Sequence, residues 1–277
     1  MVCSSIFVNR RSELYVKQPK VIFFDIDGTL TSSITGEIPQ SAIDALHKLQ
    51  QQGIEVVAAT GRPYSMCHDL EAIGFKTLIT ANGAYVRHHG EVLYGADVAT
   101  NFQQQMLSMA AQYQHAMTFY CDKFYYNGIE TAQLKTALHE AFMLESVPKV
   151  LPHDAHRTNL MCLIATDTQL APYKQAFPTI TFQRWHDTIV SVLAEPVSKS
   201  RAIQEVLNVL QYDKEQAIAF GDGYNDMDML EYVGFGIAME NAPDAVKAYA
   251  QYVTASAHDD GILKALQKLH IIENILV

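Results

Sequence analysis

Asp25 and Asp27 stand two residues apart, directly after the apolar run Val21-Ile22-Phe23-Phe24. Two carboxylates at the end of a buried strand are costly unless a cation or hydrogen bonds satisfy them. They read either as a nucleophile-type acid pair or as turn and helix-capping acids, since Asp27-Gly28 is also a turn signal. A second cluster, Asp222 and Asp226 with Asn225 and Asp228 between or beside them, follows the apolar stretch 217–220. Asp residues four apart on a loop running into a helix can point at one centre, and hard oxygen ligands with room for water suit Mg²⁺. Capping of the next helix is the other reading of these acids. Thr60-Gly61-Arg62-Pro63 ends a further apolar stretch, and its hydroxyl and backbone N–H can hold a phosphate oxygen. Lys199 falls near the start of a helix, where the macrodipole gives a lysine no help, so it is either solvated or held by acids and phosphate.

These residues need elements to place them. The run 21–24 is apolar on both faces and reads as a central strand of a parallel sheet. Pro39 and Ser41 open a helix with Ile43, Leu46 and Leu49 on one face, and Gly53 closes it. A strand over 55–60, a helix to about Ile73 and a strand over 77–80 continue a βαβ pattern. The C-terminal third repeats it. A helix near 199–210 leads to a strand over 217–220, a helix to about Tyr232, a strand over 235–238, a helix from Pro243 and a last helix from Gly261. Ligands of open α/β sheets bind beyond the carboxyl ends of the strands, which is where both acidic clusters fall. The middle of the chain has more Gln, His, Met and Tyr, with helices near 100–114 and 131–144 and strands near 117–121, 123–127, 158–165 and 188–193. The expected organisation is an N-terminal extension over 1–19, an α/β Rossmann-like, doubly wound parallel-sheet core over 20–85 and 188–277, and an inserted α+β module over 86–187.

Composition narrows the classes of function. The chain has 277 residues, 20 Lys plus Arg against 30 Asp plus Glu, and a formal net charge of −10. An acidic chain without a basic run is a poor nucleic-acid binder. It still accommodates a phosphorylated small molecule, because a local site can be positive or hold a metal. No apolar run reaches the roughly 18 residues of a membrane span, and the N-terminal stretch lacks a signal-peptide pattern. Cys3, Cys67, Cys121 and Cys162 form no C-x-x-C pair and read as reduced thiols of a cytoplasmic protein.

Taken together the motifs resemble those of the haloacid dehalogenase superfamily of phosphohydrolases, and more narrowly its Cof-type branch with a type II cap. Asp25-Ile26-Asp27-Gly28-Thr29 resembles the first motif, Thr60 the second, Lys199 the third, and Gly221-Asp222-Gly223-Tyr224-Asn225-Asp226-Met227 the fourth. Ala81-Asn82-Gly83-Ala84 and Asp259-Asp260-Gly261 are also family-like, whereas Lys199-Ser200 departs from the branch's usual Lys-Gly. The resemblance implies a Mg²⁺-dependent phosphatase of small phosphorylated metabolites. Asp25 would be the nucleophile that forms an aspartyl phosphate, and Asp27 the general acid and base. Asp25, the Asp27 carbonyl and Asp222 would hold Mg²⁺, with Asn225 and Asp226 in support. Thr60, Lys199 and the N–H groups of Ile26 and Gly61 would bind phosphoryl oxygens. The 86–187 module would be the cap that selects substrate, and the chain a monomer or weak homo-oligomer without nucleic-acid or membrane partners. A phosphomannomutase-like phosphotransferase and a non-catalytic phosphate-binding protein are the alternatives.

Other residues invite a role and read more simply as structure. His153, Asp154 and His156 fit no strong zinc spacing. Trp185 near the expected hinge, and Met106, Met109 and Met117, read as packing. Arg62 reads equally as a phosphate contact or a surface ion pair.

Overall fold

The computed structural model describes residues 19–121, 123–152 and 157–273. The expected N-terminal extension, Cys3, and His153, Asp154 and His156 lie outside these residues, apart from position 19. The chain divides into two units, one from residues up to 60, 72–78 and 203 onward, the other from 61–71 and 79–202.

The elements run β1 (Val21–Phe24), α1 (Gln40–Gln51), β2 (Glu55–Ala59), α2 (His68–Ala72), β3 (Thr77–Thr80), β4 (Tyr85–His88) and β5 (Glu91–Gly95). Next come α3 (Thr100–Tyr113), β6 (Met117–Tyr120), β7 (Phe124–Tyr126), α4 (Ala132–Phe142), β8 (Lys149–Val150), β9 (Leu160–Ile164), α5 (Asp167–Ala176), β10 (Thr181–Arg184) and β11 (Ile189–Leu193). The chain continues as α6 (Lys199–Leu210), β12 (Ala217–Gly221), α7 (Met227–Tyr232), β13 (Phe235–Ala238), α8 (Asp244–Lys247), β14 (Tyr252–Val253) and α9 (Gly261–Lys268). The larger sheet has the order β14-β13-β12-β1-β2-β3-β4-β5, and the division between the units falls within β3. β1 pairs in parallel with both β12 and β2, and β12 with β13. The fold is α/β.

The parallel core forms where the sequence has unbroken apolar runs. Every residue of β1 and β12 is buried, as strands covered on both faces require. Phe24 lies opposite Phe220 across the β1–β12 pair, and their rings stack with centroids 5.1 Å apart. Phe75 meets Phe24 edge-on at 6.3 Å. The Asp25 N–H then donates to the Phe220 carbonyl at 2.9 Å, so the pairing runs one residue past the strand and into the acidic loop.

The second unit contains a six-stranded sheet of order β10-β11-β9-β6-β7-β8, antiparallel except where β7 meets β8. β9 shows how it is buried. Leu160, Cys162 and Ile164 enter one apolar cluster, while Met161 and Leu163 enter another, because successive side chains leave opposite faces. Leu134, Ala137 and Leu138 of α4 belong to the first cluster, and Met106, Ala110, Leu170 and Tyr173 of α3 and α5 to the second. Met106 and Met117 are buried there and Met109 packs at its margin, as the packing reading expects. Trp185 packs in the first cluster, edge-on to Phe142 at 5.9 Å. Cys67, Cys121 and Cys162 are buried thiols outside any disulfide, and burial pushes the Cys162 thiol up to about 11, which keeps it unreactive.

Strand pairing corrects the expected edges of the inserted module. The edge at 85/86 falls inside β4, which forms an antiparallel hairpin with β5 in the larger sheet. The edge at 187/188 leaves β11 with the core, yet β11 pairs with β9 and β10 in the smaller sheet. An apolar run announces a buried strand but not the sheet it joins. The sequence reading also lacks α5, which holds Pro172 but opens on a capping box between Thr166 and Gln169. The short or exposed strands β8, β10 and β14 carry no alternation strong enough to predict. No described helix is long and apolar enough to cross a membrane.

Phe220→Ala is expected to lower the unfolding free energy by about 3–5 kcal/mol, read by urea denaturation, because it empties the stack that sets β1 against β12. A loss below about 1 kcal/mol would show that the stack does not anchor this pair.

Candidate active site

The loop after β1 is wound tightly by its own backbone. The Ile26 carbonyl accepts from the N–H groups of Leu30 at 2.9 Å and Thr31 at 2.8 Å, and from the Thr31 hydroxyl at 3.0 Å. Gly28 turns the chain at φ +97°, a left-handed value that favours glycine. Asp25 is held inward, 5 % exposed, while the Asp27 side chain is exposed. After β12 the second acidic loop folds on itself. Asp226 is fully buried, and its Oδ2 accepts from the N–H of Asp222 at 2.9 Å and of Gly223 at 2.8 Å. Asn225 lies in the single 3₁₀ turn, Tyr224–Asp226, that this bracing closes.

The parallel register brings the two loops together. Phe24 lies level with Phe220, so Asp25 stands beside Gly221 and one residue short of Asp222. Carboxylate oxygens of Asp25, Asp222 and Asp226 all lie within 4.8 Å of one another. Ligands on opposite sides of an octahedral cation stand about 4.2 Å apart at metal–oxygen distances near ~2.1 Å. Three hard oxygen donors at that spacing, two of them on buried acids that repel one another without a positive charge, fit a divalent cation. The Asp27 carboxylate stands outside this trio.

Two residues without an assigned role in the sequence reading hold Asp222. The buried Thr29 hydroxyl donates to its Oδ1 at 2.6 Å. Asn241, on the loop after β13, donates through Nδ2 to Asp222 Oδ2 at 2.8 Å and to the Gly28 carbonyl at 3.1 Å. Thr29 belongs to the first motif's pattern. Asn241 has one signal, a polar residue beyond a third parallel strand, just before a Pro-opened helix.

The remaining expected site residues fall at the ends of their elements. Thr60 is buried immediately after β2, and Ile26 is buried in the first loop. Gly61 and Lys199 belong to the second unit. Lys199 opens α6 and is 1 % exposed, which rules out the solvated reading. Gly83, at φ +100°, lies so close to the Ser198 carbonyl that any side chain there would overlap it. That close approach gives Ala81-Asn82-Gly83-Ala84 a structural purpose, seating the start of α6. Arg62 pairs with Asp69 at 3.2 Å.

Residues 22–266 match the family model of haloacid dehalogenase-like hydrolases, and the chain belongs to that family. It is 32 % identical over 264 residues to a Bacillus subtilis protein named "Putative phosphatase YkrA", covering 92 % of this chain and 99 % of that one. It is 28 % identical over 262 residues to the pyridoxal phosphate phosphatase YbhA of Escherichia coli, covering 88 % and 96 %. The solved structure of the sugar phosphatase BT4131, of haloacid dehalogenase subclass IIB, superposes with a TM-score of 0.79 at 30 % identity, covering 91 % of this chain and all of that one. The chain is an enzyme of the phosphatase class.

Gly28→Ala tests the packing of the acidic loops. A Cβ there would overlap Asp222 Oδ2 and stand 3.0 Å from its Cγ. Displacing that carboxylate by about 1 Å is expected to cost on the order of 10²-fold in kcat/KM for phosphate ester hydrolysis. Gly36→Ala is the control, because Gly36 also has positive φ, at +72°, but nothing within 4 Å of an added Cβ. Equal losses in the two variants would mean that loop strain, not the Asp222 contact, sets the effect.

Proposed function

We propose that this chain is a Mg²⁺-dependent phosphatase of small phosphorylated metabolites, such as sugar phosphates or pyridoxal phosphate, working through an aspartyl phosphate. The observation that carries the reading is the meeting of Asp25, Asp222 and Asp226 beyond the ends of two adjacent parallel strands. The relatives named for a sugar phosphate and for pyridoxal phosphate support the substrate class.

In this reading an oxygen of Asp25 attacks phosphorus, and the new P–O bond forms as the bond to the leaving alkoxide breaks. Asp27 gives the alkoxide its proton. It then takes a proton from the water that cleaves the acyl phosphate, which releases inorganic phosphate and restores Asp25. Bound Mg²⁺ supplies the positive charge that offsets repulsion between the carboxylate nucleophile and the dianionic ester. Asp25, the Asp27 carbonyl and Asp222 would hold the ion. Asn225 and Asp226 support them, Asp226 by bracing the loop that carries Asp222. Thr60, Lys199 and the N–H groups of Ile26 and Gly61 take the phosphoryl oxygens and the charge that develops on them. The residues inserted between Thr60 and Lys199 act as a cap that excludes water and meets the leaving group.

A phosphotransferase of the phosphomannomutase kind needs a second phosphate site in that insertion. Its two arginines between 88 and 187 are already committed, Arg157 to Asp97 and Arg184 to Asp167. This favours hydrolysis.

Asp25→Asn is expected to lower turnover at least ~10³-fold while the circular dichroism spectrum is unchanged, since an amide is a poor nucleophile. A folded variant that keeps most of its phosphate release would sink the covalent route. Chelation is expected to abolish phosphate release, with Mg²⁺ restoring it and Ca²⁺ failing to, because Ca²⁺ takes more ligands at longer distance and misaligns the attack. Full activity in excess chelator would contradict the metal assignment.

A further inference from the structure

The most specific contact around the acidic trio that its proposed chemistry does not use is made by Asn241. It reaches the trio from a third strand end. β13 lies next to β12, which lies next to β1, so the loops after these strands are neighbours at one edge of the sheet. The turn that carries Asn241 is fixed by its own backbone. The Met239 N–H donates to the Gly221 carbonyl at 3.0 Å, and the Ala242 N–H to the Met239 carbonyl at 3.1 Å. Asn241 thus springs from a turn tied directly to the strand that presents Asp222.

Its single amide nitrogen has two N–H bonds, and both are used. One goes to Asp222 Oδ2 and the other to the Gly28 carbonyl. Because both partners are acceptors, the nitrogen and not the oxygen of the amide must face them. Thr29 donates to the other oxygen of Asp222, so the carboxylate is gripped at both ends. A carboxylate so gripped cannot rotate about its Cβ–Cγ bond without losing charge-assisted hydrogen bonds. The two donors also offset the repulsion that Asp222 meets from Asp25 and Asp226 before any cation arrives.

We propose that Asn241 is a positioning residue for the divalent cation: it ties the first acidic loop to the second and fixes the orientation in which Asp222 is presented. The inference rests on the metal-dependent phosphatase reading and deepens it. The residue type follows from the task. Aspartate would set a further negative charge against Asp222 and an acceptor against the Gly28 carbonyl. Glutamine is longer by one methylene and would push the loops apart. Serine has one donor and cannot serve both acceptors.

The test uses the full-length protein and Mn²⁺ as the probe, with binding read by electron paramagnetic resonance in the absence of substrate. Asn241→Ala is expected to weaken Mn²⁺ binding about 10-fold, the scale of one lost charge-assisted hydrogen bond. Asn241→Leu, close in size and without a donor, is expected to weaken it comparably, with the fold checked by circular dichroism. In turnover, the loss in Asn241→Ala is expected in the metal concentration needed for half-maximal rate more than in kcat. Mn²⁺ affinities within about twofold of wild type in both variants would overturn the role of Asn241. So would a fall in kcat with unchanged metal affinity, which would make Asn241 a substrate contact. A wild-type protein that binds no Mn²⁺ would overturn the metal reading itself, and with it this inference.

Discussion

Carboxylates that repel one another at one edge of a parallel sheet govern how the site is built. Asp25 and Asp226 are buried and Asp222 lies with them, ligand oxygens of all three falling inside 4.8 Å. Such a cluster persists in a fold only if donors and a cation compensate the charge. The donors are present in the chain. Asp226 takes two backbone N–H groups, and Asp222 takes the Thr29 hydroxyl and the Asn241 amide. A carboxylate oxygen has more than one lone pair, so oxygens held in this way can still serve a hard divalent ion.

The scaffold beneath the acids is built to hold this arrangement still. β1 and β12 are buried along their whole length and joined by the Phe24–Phe220 stack. Loops on a rigid sheet can carry reactive groups whose positions loops alone would not fix. Gly28 allows the first loop to pass against Asp222, where any side chain would collide. The site therefore draws its precision from a fully buried pair of strands.

The six-stranded unit is organised differently. Its central strand is apolar on both faces because α4 covers one side and α3 with α5 the other. Its arginines between 88 and 187 are engaged in ion pairs within the unit, and its described cysteines are buried. These features are those of a packed module, while the acidic trio stays with the parallel sheet.

Fold class and the acids of the candidate site were legible in the order of amino acids, because both rest on local patterns. An unbroken apolar run followed by paired acids is visible within one short stretch. The strands of the parallel core, and the helices that follow Pro39, Pro243 and Asp260, come from apolar runs and helix-start signals. The hairpin of β4 and β5, the helix α5 and the sheet to which β11 belongs were not legible, since each depends on which distant strand or core accepts it. The same holds within the site. Asp25, Asp222 and Asp226 could be named from their motifs, but their meeting follows from the register that sets Phe24 against Phe220, at the other end of the chain. Asn241 shows the limit most clearly. A lone asparagine two residues before a proline signals a polar loop beyond a strand and nothing of its partners, and only the adjacency of three strand ends brings its amide to Asp222 and Gly28. Hydrogen bonds of that kind are long-range in sequence and a few ångströms in space, so they come into being only when the distant strands have paired.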